Sequence, residues 1–145
     1  MLWLMNTEPI KLLFLCTGNS CRSIMAEAIT NYYSNGRYLA FSAGSVPTGN
    51  VHPKAIETLA RHGIKPNTPR SKSWNEFKSE SIDLVITVCD QAASESCPIF
   101  PGQPKKLHWS IADPAKVEGS EMKINTVFEA VFNELKQRIE KELLS

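Results

Sequence analysis

The sequence predicts an α/β protein: a single domain built on a doubly wound, four-stranded parallel sheet flanked by helices. Three observations carry this. Short apolar runs alternate with stretches of helical periodicity, the pattern of parallel strands joined by crossover helices. Residues 82–88 (IDLVITV) are nearly continuously apolar and β-branched, as a central strand covered on both faces requires. The chain of 145 residues, 42% of them hydrophobic, suffices for one core and leaves no room for a second domain.

The elements follow in order. Residues 12–15 (LLFL) suit a buried first strand, which gives way at Cys16 to Thr17, Gly18, Asn19 and Ser20. Beyond this loop Ile24, Met25, Ala26, Ala28, Ile29 and Tyr32 recur on one helical face, and Asn35-Gly36 ends that helix. Residues 37–41 make a second strand running into Ser42-Ala43-Gly44. His52-Pro53 opens another helix, with Pro53 in its first turn, Ile56, Leu59 and Ala60 as the buried stripe and Gly63 as the cap. Prolines and Asn67 forbid regular structure over 65–70, and Trp74 and Phe77 suit a short helical turn. Residues 82–88 are the third strand, and 89–100 a loop or labile helix, since Pro98, Pro101 and Pro104 bar a long one. Residues 105–109 form the last strand. Gly119-Ser120 then starts a long helix carrying Ile124, Val127, Phe128, Val131, Leu135, Ile139 and Leu143 on one face.

A net charge of +1 gives no global electrostatic reason to expect nucleic acid or a membrane surface as partner. The opening MLWLM is too short for a signal-peptide core, and no run approaches the roughly 20 residues of a membrane span. The expectation is a monomeric cytoplasmic protein with residues 1–10 as an N-terminal extension and 11–145 as its one domain. In that compartment the four cysteines point to catalysis, redox chemistry or metal binding rather than to a permanent disulfide framework. No paired ligand spacing supports a zinc site. His52, His62 and His108 are scattered and read as helix-end or strand positions, and Trp74 and Trp109 as packing residues.

The chemistry is concentrated in residues 11–23, KLLFLCTGNSCRS, which read as strand, loop and helix start. Arg22 lies six positions after Cys16, and the residues between them, Thr17, Gly18, Asn19, Ser20 and Cys21, are small enough for the chain to curl until several N–H groups face one centre. Such a loop cradles a tetrahedral oxyanion. The helix that begins near Arg22 adds its positive end, and the guanidinium clamps two oxygens in its plane. The same field stabilises a thiolate on Cys16: a free cysteine has a pKa of about 8.5, and a site of this kind holds it several units lower.

In an open parallel sheet, ligands bind beyond the carboxyl ends of the strands. Cys16 follows the first strand and Cys89 the third, so the two are expected on one edge although 73 positions apart. Cys97 follows Cys89 by eight positions, an axial separation of about 12 Å if the segment were helical, whereas a disulfide needs Cα atoms within about 7 Å. The two pair only if this polar segment unwinds.

The loop CTGNSCRS resembles the signature of the low-molecular-weight tyrosine phosphatase superfamily, which also contains arsenate reductases that recycle through cysteine disulfides. The likeness covers nearly the whole chain beyond the first ten residues. The stretches VITVCDQAASESCP and HWSIADPA resemble the reductase branch more than the phosphatases, whose corresponding strand usually ends in an acidic, cysteine-free turn. The resemblance implies that Cys16 attacks arsenate held by the loop amides and Arg22, and that Ser23 hydrogen-bonds the thiolate. It further implies that Cys89 attacks Cys16 and Cys97 attacks Cys89, presenting a disulfide to thioredoxin, while Asp113, before Pro114, serves as general acid. No tightly bound cofactor is implied.

Two departures stand out. Seven residues separate Cys89 from Cys97, one more than in the thioredoxin-coupled members, which leaves glutathione and glutaredoxin as the other reductant. Those members also carry a potassium site, for which Asn19 and Ser42 match. Lys72 falls where an acidic ligand is expected, so its ammonium is expected to replace the metal. Cys21 is shared with many phosphatases and reads either as a structural thiol or as one that protects Cys16 by pairing with it. The reading is an arsenate reductase. A tyrosine phosphatase working through a phospho-cysteine is the alternative, and a non-enzymatic oxyanion or redox sensor the third.

Overall fold

The computed structural model describes residues 8–94 and 100–145. Strand β1 (Ile10–Cys16) leads through the loop into helix α1 (Arg22–Tyr33), strand β2 (Tyr38–Gly44) and helix α2 (Pro53–Arg61). After a 3-10 turn (Trp74–Phe77) come strand β3 (Leu84–Thr87), the short helix α3 (Asp90–Ser94) and strand β4 (Lys105–His108). A second 3-10 turn (Pro114–Lys116) precedes the long helix α4 (Glu121–Ile139), which ends in a π-helical turn (Glu140–Leu144). The strands are all parallel, in the order β2-β1-β3-β4. The expected single-domain, doubly wound four-stranded sheet is what forms.

That order creates the place for a site. The chain leaves β1 toward β2 on one side and later returns to add β3 on the other, so a crevice opens where β1 and β3 end. The pairing runs from Leu12↔Leu84 to Leu15↔Thr87. Beyond it Val88 N–H donates to the Leu15 carbonyl at 2.9 Å, so that Val88 stands level with Cys16 and Cys89 follows at the same edge of the sheet.

Alternation along β1 divides the core. Leu12 and Phe14 face the layer of α1, α2 and α4, meeting Met25, Ile29, Leu59, Phe128, Phe132 and Leu135. Leu13 and Leu15 face the opposite layer, with Phe77, Ile82, Val85 and Phe100. Residues 12–15 are wholly buried, each contributing about 1.5–3 kcal/mol of transfer free energy. Trp109 is a packing residue, tilted against Phe14 at 5.9 Å with its Nε1 donating to Glu142.

Several details differ from the sequence reading. The third strand is four residues long rather than seven, because Asp83 and Val88 bond β1 from outside the regular ladder. On α1, Tyr32 is half exposed, since the buried face runs through Ser23, Ile24, Met25, Ala26, Ala28, Ile29 and Thr30. On α2, Ala60 is exposed and Ala55, Thr58 and Leu59 are buried, and the Thr58 hydroxyl is accommodated by donating to the Lys54 carbonyl at 2.6 Å. On α4, Phe132 joins the core while Ile124 and Val127 stay half exposed. The N-terminal extension lies largely, and Cys97 wholly, outside the described residues. No helix among the described residues is long and apolar enough to cross a membrane.

Gly44 closes β2 directly behind the Cys16 loop, and a Cβ there would lie 2.8 Å from the Cys16 carbonyl oxygen and closer still to that of Thr17. Gly44→Ala is expected to cost about 1–3 kcal/mol in denaturant unfolding, as overpacking against backbone does, and to weaken phosphate binding at the loop in parallel.

Candidate active site

The loop after β1 is shaped by where its carbonyls go. Thr17 O accepts from Val46 N–H at 3.0 Å, Gly18 O from Thr48 N–H and the Ser71 hydroxyl, each at 3.0 Å, and Ser20 O from His52 N–H at 2.9 Å. With these oxygens turned outward, the peptide N–H groups between them turn toward a common centre. Asn19 takes a left-handed backbone (φ 45°) that asparagine tolerates, and its wholly buried side chain ties the loop together. Its Nδ2 donates to Ser23 Oγ at 2.8 Å and its Oδ1 accepts from Lys72 N–H at 2.9 Å.

Arg22 begins α1 and reaches across the loop. Its Nη1 donates to the Ile111 carbonyl at 2.9 Å, and its Nη2 lies 3.5 Å from Asp113 Oδ2. Its Nε is buried without a hydrogen-bond partner, a donor that an oxyanion in the loop would satisfy. Asp113 caps the 3-10 turn, accepting from Ala115 N–H at 3.0 Å, and so presents its carboxylate beside Arg22. Both line an open cleft of about 700 Å³ together with Thr17, Gly18 and Cys89.

Cys16 and Cys89 are both buried, and their side chains hydrogen-bond one another. The Cys89 sulfur also accepts from Thr17 N–H at 3.3 Å and from Ala92 N–H at 3.4 Å, and Thr17 Oγ1 lies 3.6 Å away. Donation from the Cys16 thiol, with Thr17 and Ala92 adding to it, pulls Cys89 down to about 5. The same bond and burial push Cys16 up, against the pull of Arg22. The expectation of a depressed Cys16 is therefore not met in this arrangement. The two sulfurs are equally buried, and the N–H groups of Thr17 and Ala92 make Cys89 the favoured position for a negative charge.

Cys21 is turned to the general-acid candidate, its Sγ 3.8 Å from Asp113 Oδ1, and burial pushes its thiol up to about 11. It joins the cradle through its backbone. Ser23 is wholly buried in the first turn of α1, with its Oγ on Asn19.

The cation candidates are brought together with a residue the sequence reading passed over. Ser42 Oγ donates to Glu27 Oε1 at 2.5 Å, and the Lys72 ammonium lies 4.0 Å from that oxygen while donating to the Arg70 carbonyl at 3.0 Å. Burial pushes Glu27 up and Lys72 down. An acid within the apolar run IMAEAI was the available signal for Glu27. Thr17 as a ligand of Cys89 left no signal, because the contact crosses two strands. Among the described residues no group of three or more His, Cys, Asp or Glu side chains is placed to hold a metal.

Residues 11–144 match the family model described as low molecular weight phosphotyrosine protein phosphatase. A protein of Halalkalibacterium halodurans named arsenate reductase is 37% identical over 126 residues, covering 87% of this chain and 89% of that protein. A solved structure described as an arsenate reductase in oxidized state superposes with a TM-score of 0.74 at 27% identity, covering 90% of this chain and 94% of that one. The low molecular weight protein tyrosine phosphatase from T. tengcongensis gives 0.73 at 28%, covering 91% and 96%. A cradle ending in Arg22, an acid at Asp113 and a match over nearly the full length agree: the chain belongs to the low molecular weight phosphotyrosine protein phosphatase family.

Proposed function

We propose that this protein is an arsenate reductase in which Cys16 takes up arsenate and Cys89 supplies the second thiol. The observation that carries the reading is the contact between these two sulfurs at one cradle. Hydrolysis of a phospho-cysteine needs a single thiol and water, whereas reduction needs a second thiol within reach of the first. The name borne by the relative 37% identical to this chain supports the same choice.

The steps combine this geometry with the resemblance to the reductase branch, which supplies the part of Cys97. The shared proton passes from Cys16 to Cys89, freeing the Cys16 thiolate beside Arg22. Ser23, already accepting from Asn19, donates its hydroxyl proton to that sulfur. The thiolate attacks arsenic, a sulfur–arsenic bond forms, and an arsenic–oxygen bond breaks as Asp113 protonates the departing oxygen. Arg22 and the amides of Gly18, Asn19, Ser20 and Cys21 hold the remaining oxygens.

Cys89 then returns its proton to solvent in the cleft, its thiolate favoured by the Thr17 and Ala92 N–H groups. It attacks Cys16 Sγ. The disulfide forms as the sulfur–arsenic bond breaks, and the bonding pair stays with arsenic, which leaves as arsenite. Two thiols have lost two electrons and arsenic(V) has gained two. Cys97 next attacks Cys89, releasing the Cys16 thiolate. An external dithiol, thioredoxin or the glutathione and glutaredoxin couple, reduces the Cys89–Cys97 disulfide. The Lys72 ammonium stands in for a monovalent cation behind the cradle, paired with Glu27, while the Lys72 backbone N–H holds Asn19.

Three measurements test this. Arsenate-dependent NADPH oxidation with thioredoxin and its reductase is expected from the parent and to be lost in Cys89→Ser. A variant as active as the parent overturns the cascade, and brisk aryl-phosphate hydrolysis without arsenate turnover assigns the phosphatase instead. In Cys97→Ser, ultraviolet thiolate absorbance is expected to titrate first near pH 5, where Cys89 ionises. Because a lowered pKa keeps the thiolate above that point, the signal persists through neutral pH and vanishes on acidification. The next rise comes only well above neutrality, with Cys21 at about 11. Replacing potassium by sodium is expected to leave the parent's rate unchanged and to slow Lys72→Ala. Strong potassium stimulation of the parent rules out the ammonium's role.

A further inference from the structure

His108 takes no part in these steps, yet its imidazole bridges the two residues on either side of the Val88-Cys89 pair. Nδ1 lies 2.7 Å from Thr87 Oγ1 and Nε2 lies 2.8 Å from Asp90 Oδ1. Thr87 is the last residue of β3 and Asp90 the first of α3. One side chain from β4 thus closes the Cys89 turn into a ring.

We propose that His108 is a positioning residue: by stapling Thr87 to Asp90 it sets the Cys89 sulfur against Cys16. The proposal rests on the two-thiol reading above. Its physical basis is that the bridge ties together the two residues that flank Val88 and Cys89, one on β3 and one on α3. On the strand side, Val88 N–H is fixed to Leu15 at 2.9 Å. On the helix side, Ala92 N–H donates to the Cys89 sulfur at 3.4 Å and Ala93 N–H to the Cys89 carbonyl at 3.3 Å. The tether through Asp90, which also bonds Ser110, joins the first turn of α3 to the end of β4.

The ring stays satisfied whether or not the imidazole is charged. A neutral ring donates from Nε2 to Asp90 and accepts at Nδ1 from the Thr87 hydroxyl. A charged ring donates from both nitrogens, and the Thr87 hydroxyl turns to the Leu107 carbonyl, 3.5 Å away. Such a device suits a nucleophile whose own proton moves during the reaction. Misplacement by about 1 Å costs on the order of a hundredfold in rate, so a partial loss of this support should be visible.

The test compares reduced parent, His108→Ala, Asp90→Ala and Asp90→Asn in a single turnover with arsenate and no external reductant. Arsenite release is expected to slow about tenfold in both alanine variants, while Asp90→Asn, which keeps the acceptor oxygen, stays within about threefold of the parent. Phosphate affinity should change less than about twofold in His108→Ala, whose side chain does not line the cleft, whereas the two Asp90 variants, which both remove a carboxylate from it, are compared with each other. In parallel, alkylation of Cys89, followed by peptide mapping, is expected to quicken about tenfold in His108→Ala as α3 opens. Asp90 is 77% exposed, so its variants keep the fold. Unchanged release and alkylation in His108→Ala overturn the staple, as does a loss of phosphate affinity that matches the loss of rate. A parent that releases no arsenite refutes the reductase reading alone, and the alkylation comparison then decides the staple.

Discussion

The backbone hydrogen bond from Val88 to Leu15, at 2.9 Å, is the constraint on which the site depends. It continues the β1–β3 pairing past the last regular rung, Leu15↔Thr87, which sets Val88 level with Cys16 and brings Cys89, the next residue, to the same edge of the sheet. A slip of one residue would turn one of the two sulfurs to the opposite face of the sheet. Residues 12–15 alternate between two apolar layers and anchor β1 in both. The adjacency of two thiols is thus a by-product of core packing.

Around that pair the protein manages buried charge. Of Cys16 and Cys89, the N–H groups of Thr17 and Ala92 make Cys89 the better seat for a negative charge. Arg22 supplies the opposite sign and is itself neutralised by Asp113 and the Ile111 carbonyl. Behind the loop, Glu27 and Lys72 form a second couple in which each relieves the other's desolvation. Both couples act on Asn19 or its neighbours, so the cradle is braced from the cleft and from behind. At the start of α3 the bridge from Thr87 through His108 to Asp90 braces the Cys89 turn in its own right.

Much of this was legible in the chain. The elements came through because their signals are local: apolar runs for β1 and β3, Asn35-Gly36 and Gly63 in left-handed conformations at helix ends, and Ser120 capping α4 through Lys123. Errors fell where a helix face was assigned by spacing alone. Tyr32 and Ala60 turned outward, and Phe132 inward, because the neighbouring helices, not the periodicity, decide which flank of the stripe is covered.

By itself the sequence determined the cradle, since CTGNSCRS specifies both the small residues that let the loop curl and the arginine that closes it. Strand order and topology placed Cys16 and Cys89 on one edge. Which sulfur carries the charge, the part Glu27 plays with Ser42 and Lys72, and the bridge from His108 to Thr87 and Asp90 were decided only by tertiary structure. The physical reason is common to all three. Each depends on distances of a few ångströms between residues far apart in the chain, set by how the layers pack, and no local pattern encodes such a distance.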